Sequence, residues 1–423
     1  MSGTHPEMPS ARDVLRDRSP LLFLLAVTTT TMASIAQVTA LGFQVFELTG
    51  RELDLGLLGL AEFLPALLLA VPAGTLADRF DRRLLMGLGL TGELLCALVL
   101  AWLTWRGVET FTPLLVVVLA FGTFRALAAP AARALPVTLV APEALPRIVP
   151  LFAASWQLGG IVGPVLGGVL YAVGAPLAYV GTAVLIGIGL AVLPFVRLHT
   201  SAPPRPPRDE RADWRDALDG LRVIRRTPVL AGAISLDLFA VLFGGAVALL
   251  PAIATERLGV GAAGLGWLRA GAGIGAAVVT LGLAARPARR HVGKVLLSMV
   301  GLFGVATLVL GLTSSFAVAL GSLVVAGGAD AVSVYVRATL VPLITADEYR
   351  GRVLAVENVF IGASNELGAF ESGVAGQLLG ASGAIVLGGM ATLVVVGVWW
   401  FAFPALRDVD RFDDLSPGSA RPD

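Results

Sequence analysis

From Ile148 to Val196 the chain contains no Asp, Glu, Lys, Arg or His. This run of 49 residues constrains the fold more than any other feature of the sequence. A helix that crosses the hydrocarbon core needs about 20 apolar residues. The run therefore holds two crossings, folded back at Gly174, Ala175 and Pro176. Its apolar residues are continuous and not alternating, which favours helices over barrel strands. Charged residues make up only 14% of the 423 residues, against about 25% in a soluble domain. So few charges cannot cover a soluble surface of this size.

The same reading along the chain predicts twelve spans, at 20–48, 55–77, 84–106, 111–131, 148–173, 176–197, 229–255, 262–285, 292–312, 315–343, 353–379 and 383–405. Residues 1–19 form a polar tail. The apolar run after it is too long for a signal-peptide core and reads as a retained first span. The single Cys96 excludes an intrachain disulfide. Lys and Arg set the orientation. With both termini in the cytoplasm, the inner segments carry 25 basic residues and the outer loops carry Arg51, Arg106 and Arg257. That asymmetry predicts an even number of spans in a cell membrane.

Residues 198–228 differ. Ser201 to Asp209 is proline-rich and charged. Beyond it, Trp214, Leu218, Leu221 and Ile224 fall on one helical face and Arg215, Arg222, Arg225 and Arg226 on the other. This predicts a linker helix lying on the inner membrane surface. A shift of 207 residues exposes a weak internal repeat: Glu62 falls on Arg269, and Arg79, Arg82 and Arg83 fall on Arg286, Arg289 and Arg290. The predicted organisation is a tail (1–19), a six-helix bundle (20–197), a linker (198–228), a second bundle (229–405) and a tail (406–423). The fold class is all-α integral membrane, with twelve transmembrane helices in two pseudo-symmetric six-helix bundles.

The loop between spans 2 and 3 carries Gly74, Asp78, Arg79, Arg82 and Arg83. It resembles the signature of the major facilitator superfamily of secondary transporters, Gly-x-x-x-Asp-Arg-x-Gly-Arg-Arg/Lys, with Asp81 in place of the second glycine. Gly159, Gly163, Pro164, Gly167 and Gly168 in span 5 resemble that superfamily's antiporter motif. Small residues at this spacing let helix backbones approach closely, and a proline bends its helix, so span 5 is expected to press against glycine-rich span 8. Further stretches resemble the enterobactin-exporter-like branch: Ala61 to Pro65, Phe124 to Arg133, Leu236 to Phe239, Arg350 to Val353, and Asn365 to Gly373. The resemblance implies the major facilitator fold, export by alternating access, and central cavity walls from spans 1, 4, 7 and 10. It also implies that Asp78 faces the inner start of span 11 and pairs with Arg350 or Arg352 as a gate.

An ionisable group inside the membrane costs about 2.5–3.5 kcal/mol on the insertion scale and marks a site or a partner. Glu62 and Arg269 sit at repeat-equivalent points near the outer face. They are read either as an outer gate pair or as groups satisfied within their own halves. Asp237, Glu366 and Glu93 are the proton-coupling candidates, because a carboxyl in low dielectric tends to take up a proton. Gln37, Arg125, Phe243 and Asp330, with Asp237, are the expected cavity residues. Arg125 and Arg337 are read either as holding an acidic substrate or as neutralising Asp330 and nearby acids; the second reading is favoured for Arg337, which lies near the inner interface and can snorkel.

No phosphate-binding Gly-x-x-x-x-Gly-Lys-Ser/Thr loop is present, and His5, His199 and His291 lie in tails or loops. The expectation is a carrier without cofactor or metal, not an enzyme, with no nucleic acid among its partners. Its partners would be a small molecule, protons and the bilayer, and it would act as a monomer. The expected substrate is hydrophobic or amphipathic, drug-like or a siderophore, exported by proton antiport. A lysophospholipid carrier or an uptake facilitator of the same fold is the alternative. A non-transporting membrane sensor or assembly protein is the reading from another class.

Overall fold

The computed structural model describes residues 17–198, 210–287 and 289–415, with the side chains of Ala70, Val71, Asp78, Pro142 and residues 210–217 outside that description. Several expectations fall outside it: Arg12 and Arg16, the stretch from Ser201 to Asp209, the side chains of Trp214, Arg215 and Asp78, and residues 416–423. Among the described residues the chain forms helices and turns and no strand. This is the solution that lipid demands of a backbone that must satisfy its own hydrogen bonds.

The main helices are α1 (Arg18–Thr49), α2 (Glu52–Arg79), α3 (Arg82–Trp105), α4 (Phe111–Ala134), α5 (Leu145–Val173) and α6 (Ala175–Val192). They continue with α7 (Glu210–Arg226), α8 (Pro228–Phe243), α9 (Gly261–Ala285), α10 (Val292–Leu312), α11 (Phe316–Ile344) and α12 (Asp347–Ala402). Among the described residues, ten helices are long and apolar enough to cross a bilayer. One of these, α12, runs over 56 residues and breaks at Gly380, whose φ of 74° lies in the left-handed region, so it makes two crossings. With 28 residues, α2 is about 42 Å long at 1.5 Å per residue and also spans. Among the described residues these helices make twelve crossings, and the protein is an all-α integral membrane protein.

The chain divides into two compact units. The first takes the chain up to Thr49, Ala61–Pro206 and Gly261–Ala270. Within it α1 lies along α5 and α6, and α3 lies along α4 and α6. Glycines set the spacing. A Cβ on Gly92 would fall inside the Phe124 ring, and one on Gly89 would come 2.9 Å from the Phe124 carbonyl. Phe23, Leu90, Leu135, Ile148 and Ile186 fill the core at one end.

At that same end Arg82 donates to the Ala134 carbonyl (3.2 Å) and Arg83 to the Val196 carbonyl (2.8 Å). The α2–α3 turn is thereby tied to the end of α4 and the segment after α6, and these ends share one face. Asp81, where the family signature has glycine, caps α3 by accepting from the Arg83 amide at 2.8 Å. Partial burial works against ionisation of Asp81, but the Arg83 backbone and side-chain hydrogen bonds outweigh it and hold the carboxyl below its usual value. Elsewhere in the unit Tyr179 donates to Gln44 (2.5 Å), Gln44 to Thr104 (3.0 Å) and Tyr171 to Glu47 (2.8 Å).

The second unit takes Gly50–Leu60, Pro207–Val260 and the chain from Gly271 onward. Short pieces at the starts of α2 and α9 have thus changed places relative to the expected bundles at 20–197 and 229–405. Glycine crossings accompany both exchanges. A Cβ on Gly56 of α2 would lie 3.1 Å from the Phe370 carbonyl and 3.2 Å from Gly373 Cα of α12. A Cβ on Gly168 of α5 would lie 3.0 Å from Gly266 Cα of α9. The two crossings join helix pairs that the 207-residue repeat relates.

The span expected at 229–255 is present as Pro228–Arg257, but its helix is interrupted. α8 stops at Phe243, and the crossing continues through a 3₁₀ turn (Ala246–Leu249), a short helix (Leu250–Ala252) and a π turn (Ile253–Arg257). The break follows from the approach of α12: a Cβ on Gly245 would meet the Gly368 carbonyl and Ser372 Oγ, each at 2.6 Å. The linker helix α7 is also more than a surface element. Val223 and Ile224 are buried in the core with Leu230 and Val353, whereas Leu218 is 59% exposed. A Cβ on Gly220 would come 2.7 Å from the Arg352 carbonyl, so α7 seats directly on the start of α12.

Candidate functional site

Four ionisable side chains converge in the second unit. Asp237 comes from α8, Asp330 and Arg337 from α11, and Glu357 from α12. Asp330 and Arg337 are seven residues apart, two turns on one face. Arg337 donates to Asp237 at 2.7 Å and reaches Glu357 at 3.8 Å. Asp237, Arg337 and Glu357 are 6%, 5% and 6% exposed, whereas Asp330 is exposed at the helix surface. A cavity of about 20 Å³ lies between Asp237 and Asp330, with Met299, Phe303 and Ser333 in its wall. That is room for about one water. Arg337 Nε is buried with no hydrogen-bond partner. Arg337 thus pairs with nearby acids, Asp237 and Glu357, which hold it inside the bundle; only the snorkelling is corrected. In the sequence Glu357 carries no signal beyond being an acid within a span.

The first unit holds a larger cavity, about 90 Å³, between α1, α3, α4 and α5. Thr30, Thr31 and Ser34 give it a hydroxyl side, and Phe152 and Trp156 an aromatic side. Its charged residues are Glu93, Arg125 and Arg133. Glu93 is 3% exposed and accepts one long hydrogen bond, from Ser34 at 3.4 Å. Arg125 is ion-paired with Glu62 of α2. Gly122 makes that pair possible: a Cβ there would come 2.5 Å from the Glu62 carbonyl, so α4 and α2 touch one turn before Arg125. Arg269 donates instead to Thr39 at 3.5 Å, and its Nε is buried without a partner. Of the two readings of Glu62 and Arg269, the direct pair is not formed, because Glu62 turns to Arg125.

The other residues singled out from the sequence fall as follows. Gln37 is 1% exposed with Oε1 unpartnered, and Phe243 stacks on Phe239 at 6.3 Å; neither lines the two cavities described. A Glu366 oxygen lies 3.5 Å from the Cβ position of Gly59. Gly159, Gly163 and Gly167 of α5 lie on α1, against Thr31, Met32 and Ala36, and Gly168 alone of the four glycines meets α9. The expected pressure of span 5 on span 8 is thus carried by the last motif glycine and the Pro164 carbonyl, 2.5 Å from the Cβ position of Gly266. A Cβ on Gly74 would meet nothing within 4 Å, and Arg79 is exposed. Arg350 pairs with Asp347 at 2.5 Å and donates to the Pro342 carbonyl. Arg352 lies 4.0 Å from Asp219 of α7 and over the Tyr349 ring at 5.7 Å. Among the described residues no group of three or more metal-ligating side chains occurs.

The model of the Major Facilitator Superfamily matches residues 21–294. The chain belongs to that superfamily. Among curated relatives it is similar to Enterobactin exporter EntS of Shigella boydii serotype 18 (strain CDC 3083-94 / BS512). The two are 28% identical over 340 residues, covering 76% of this chain and 79% of the relative. The same identity and coverage hold for Enterobactin exporter EntS of Escherichia coli O157:H7 (strain EC4115 / EHEC). Among solved structures the fold matches a bacterial homolog of the human lysosomal transporter Spinster, with a TM-score of 0.69 at 14% identity over 92% of this chain and 95% of that one. It also matches the nucleoside transporter NupG, with a TM-score of 0.67 at 13% identity over 93% and 100%. The superfamily is one of membrane transporters, so this chain is a transporter and not an enzyme.

Proposed function

We propose that this superfamily member exports a hydrophobic or amphipathic small molecule across a cell membrane by alternating access, coupled to proton entry. The observation that carries the reading is the Arg337 cluster. Two carboxyl groups reach one guanidinium, one more than it can neutralise, and a cavity the size of a water joins Asp237 to a third carboxyl, that of Asp330. Such a cluster can take a proton on one carboxyl and hand Arg337 from Asp237 to Glu357. Glu93 and Glu366 are the further coupling candidates. The similarity to an enterobactin exporter supports outward movement.

In this reading both termini face the cytoplasm and the protein acts as a monomer. The bundles at 20–197 and 229–405 move about the linker, and Gly74, Asp78, Arg79, Arg82, Arg83, Arg350 and Arg352 form the inner gate. Glu62 and Arg269 act near the outer one. Expression in a host stripped of its own efflux systems tests it. Cells should accumulate less of a fluorescent amphipathic dye, and a protonophore should abolish the difference. Equal accumulation across a broad panel of compounds, with the protein present in the membrane, would refute export.

A further inference from the structure

We infer that the cavity beside Glu93 is a binding site for the cationic head of an amphipathic substrate, and that Glu93 is its counter-ion. This deepens the export reading by naming a substrate class, and it rests on that reading.

Arg125, a base in the cavity wall, is already ion-paired with Glu62. It is therefore not free to receive an anionic ligand. Arg133, the other base, is exposed, where water screens it. Glu93 is the opposite case. Its side chain is 3% exposed, it faces the cavity, its single hydrogen bond is 3.4 Å long, and among the described residues it forms no ion pair. A buried carboxyl so placed is relieved either by a proton or by a positive charge beside it, and a cationic head would supply the second.

The rest of the wall states what kind of cation fits. Phe152, itself stacked on Phe23, and Trp156 line the cavity, and aromatic rings attract alkylammonium groups. Thr30, Thr31, Met86 and Leu90 add only short hydroxyls and apolar surface. A strongly hydrated inorganic ion needs several oxygen ligands, and one carboxylate with three hydroxyls is a poor match for it. A trialkylammonium or a protonated amine on an apolar body needs one counter-ion and an aromatic wall. At about 90 Å³ the cavity takes the head and leaves the apolar remainder outside it.

The test is equilibrium binding to the full-length protein in neutral detergent, without any pH gradient. The probes are benzyltrimethylammonium and neopentylbenzene, the same shape with carbon in place of the charged nitrogen. Benzyltrimethylammonium should bind, and the neutral isostere about tenfold or more weaker. Glu93→Gln should remove that preference, and Glu93→Asp should keep part of it. Arg133→Gln should leave binding of the cation unchanged or tighter. A short-chain phosphocholine lipid that displaces the cation would identify the ammonium source as a lipid headgroup at the same site. If 2,3-dihydroxybenzoate binds and the cation does not, or if Glu93→Gln binds the cation as wild type does, the assignment is wrong. Because no gradient is applied, a failure of proton coupling cannot mimic either result. Conversely, cation binding without dye export would retain this site and sink the export reading.

Discussion

Arg337 is bound to Asp237 at 2.7 Å by a contact that crosses from α11 to α8 with both residues less than a tenth exposed. Removing one partner of a buried pair strands the other, at a cost of about 3–5 kcal/mol. Glu357 stands 3.8 Å away and can take over part of the charge. Asp237→Asn is therefore expected at the low end, about 3 kcal/mol, as a drop in the unfolding temperature of the purified protein. Arg337→Gln should cost more than Asp237→Asn, because it strands both Asp237 and Glu357, and the double variant should lose less than the sum of the two single variants. Strictly additive losses would refute the pairing.

Glu62 has two possible basic partners, and the structure distinguishes them. A double-mutant cycle between Glu62→Gln and Arg125→Gln should give a coupling of about 1–3 kcal/mol in thermal or denaturant unfolding. The cycle between Glu62→Gln and Arg269→Gln should be near additive, within about 0.5 kcal/mol. Strong coupling in the second cycle would restore the outer-gate pair.

The glycine crossings predict a contrast. A Cβ at Gly168 would strike the Ala262 carbonyl and crowd Gly266. Gly168→Val should therefore cost about 1–3 kcal/mol by overpacking and reduce transport sharply. Gly74→Ala meets no atom within 4 Å, and its stability should stay within about 0.5 kcal/mol of wild type. Transport lost in Gly74→Ala at unchanged stability would assign that glycine to the gate rather than to packing.

Asp81 gives a pH prediction with a definite sign. Against partial burial, the Arg83 hydrogen bonds hold its folded pKa below the usual carboxylate range. The charged cap therefore contributes stability above the unfolded pKa and loses it as pH falls through the depressed folded value. Asp81→Ala should cost about 1 kcal/mol at neutral pH. Asp81→Asn should keep most of the cap but flatten the acid limb of the stability curve. Because the Asp81 side chain is 44% exposed, the pH-dependent part is small. An unchanged acid limb in Asp81→Asn would contradict the assignment.

Much of the fold was legible because lipid leaves one grammar for a crossing chain. The expected first span at 20–48 is α1 (Arg18–Thr49), and the eleventh ends at Gly380 as read. The break after Phe243 was not legible. It depends on how closely α12 approaches Gly245, which no local pattern encodes. The same holds for α7, where Val223 rather than Leu218 is buried, because the seat at Gly220 on Arg352 is a tertiary fact. Charges within the spans could be counted from the sequence, but their partners could not. Arg337 lies seven residues from Asp330 and is claimed by acids on two other helices. Asp81 had a local signal, an acid immediately before a helix, and resemblance to a glycine pattern masked it.

The most direct test of the central claim is proton movement in proteoliposomes under an imposed pH gradient, read by an internal pH dye as amphipathic cations and catecholates are added. The account predicts substrate-dependent proton flux in the wild type. It predicts loss of that flux in Asp237→Asn, with substrate binding retained. Substrate transport with no proton movement, or full coupling in Asp237→Asn, would contradict it.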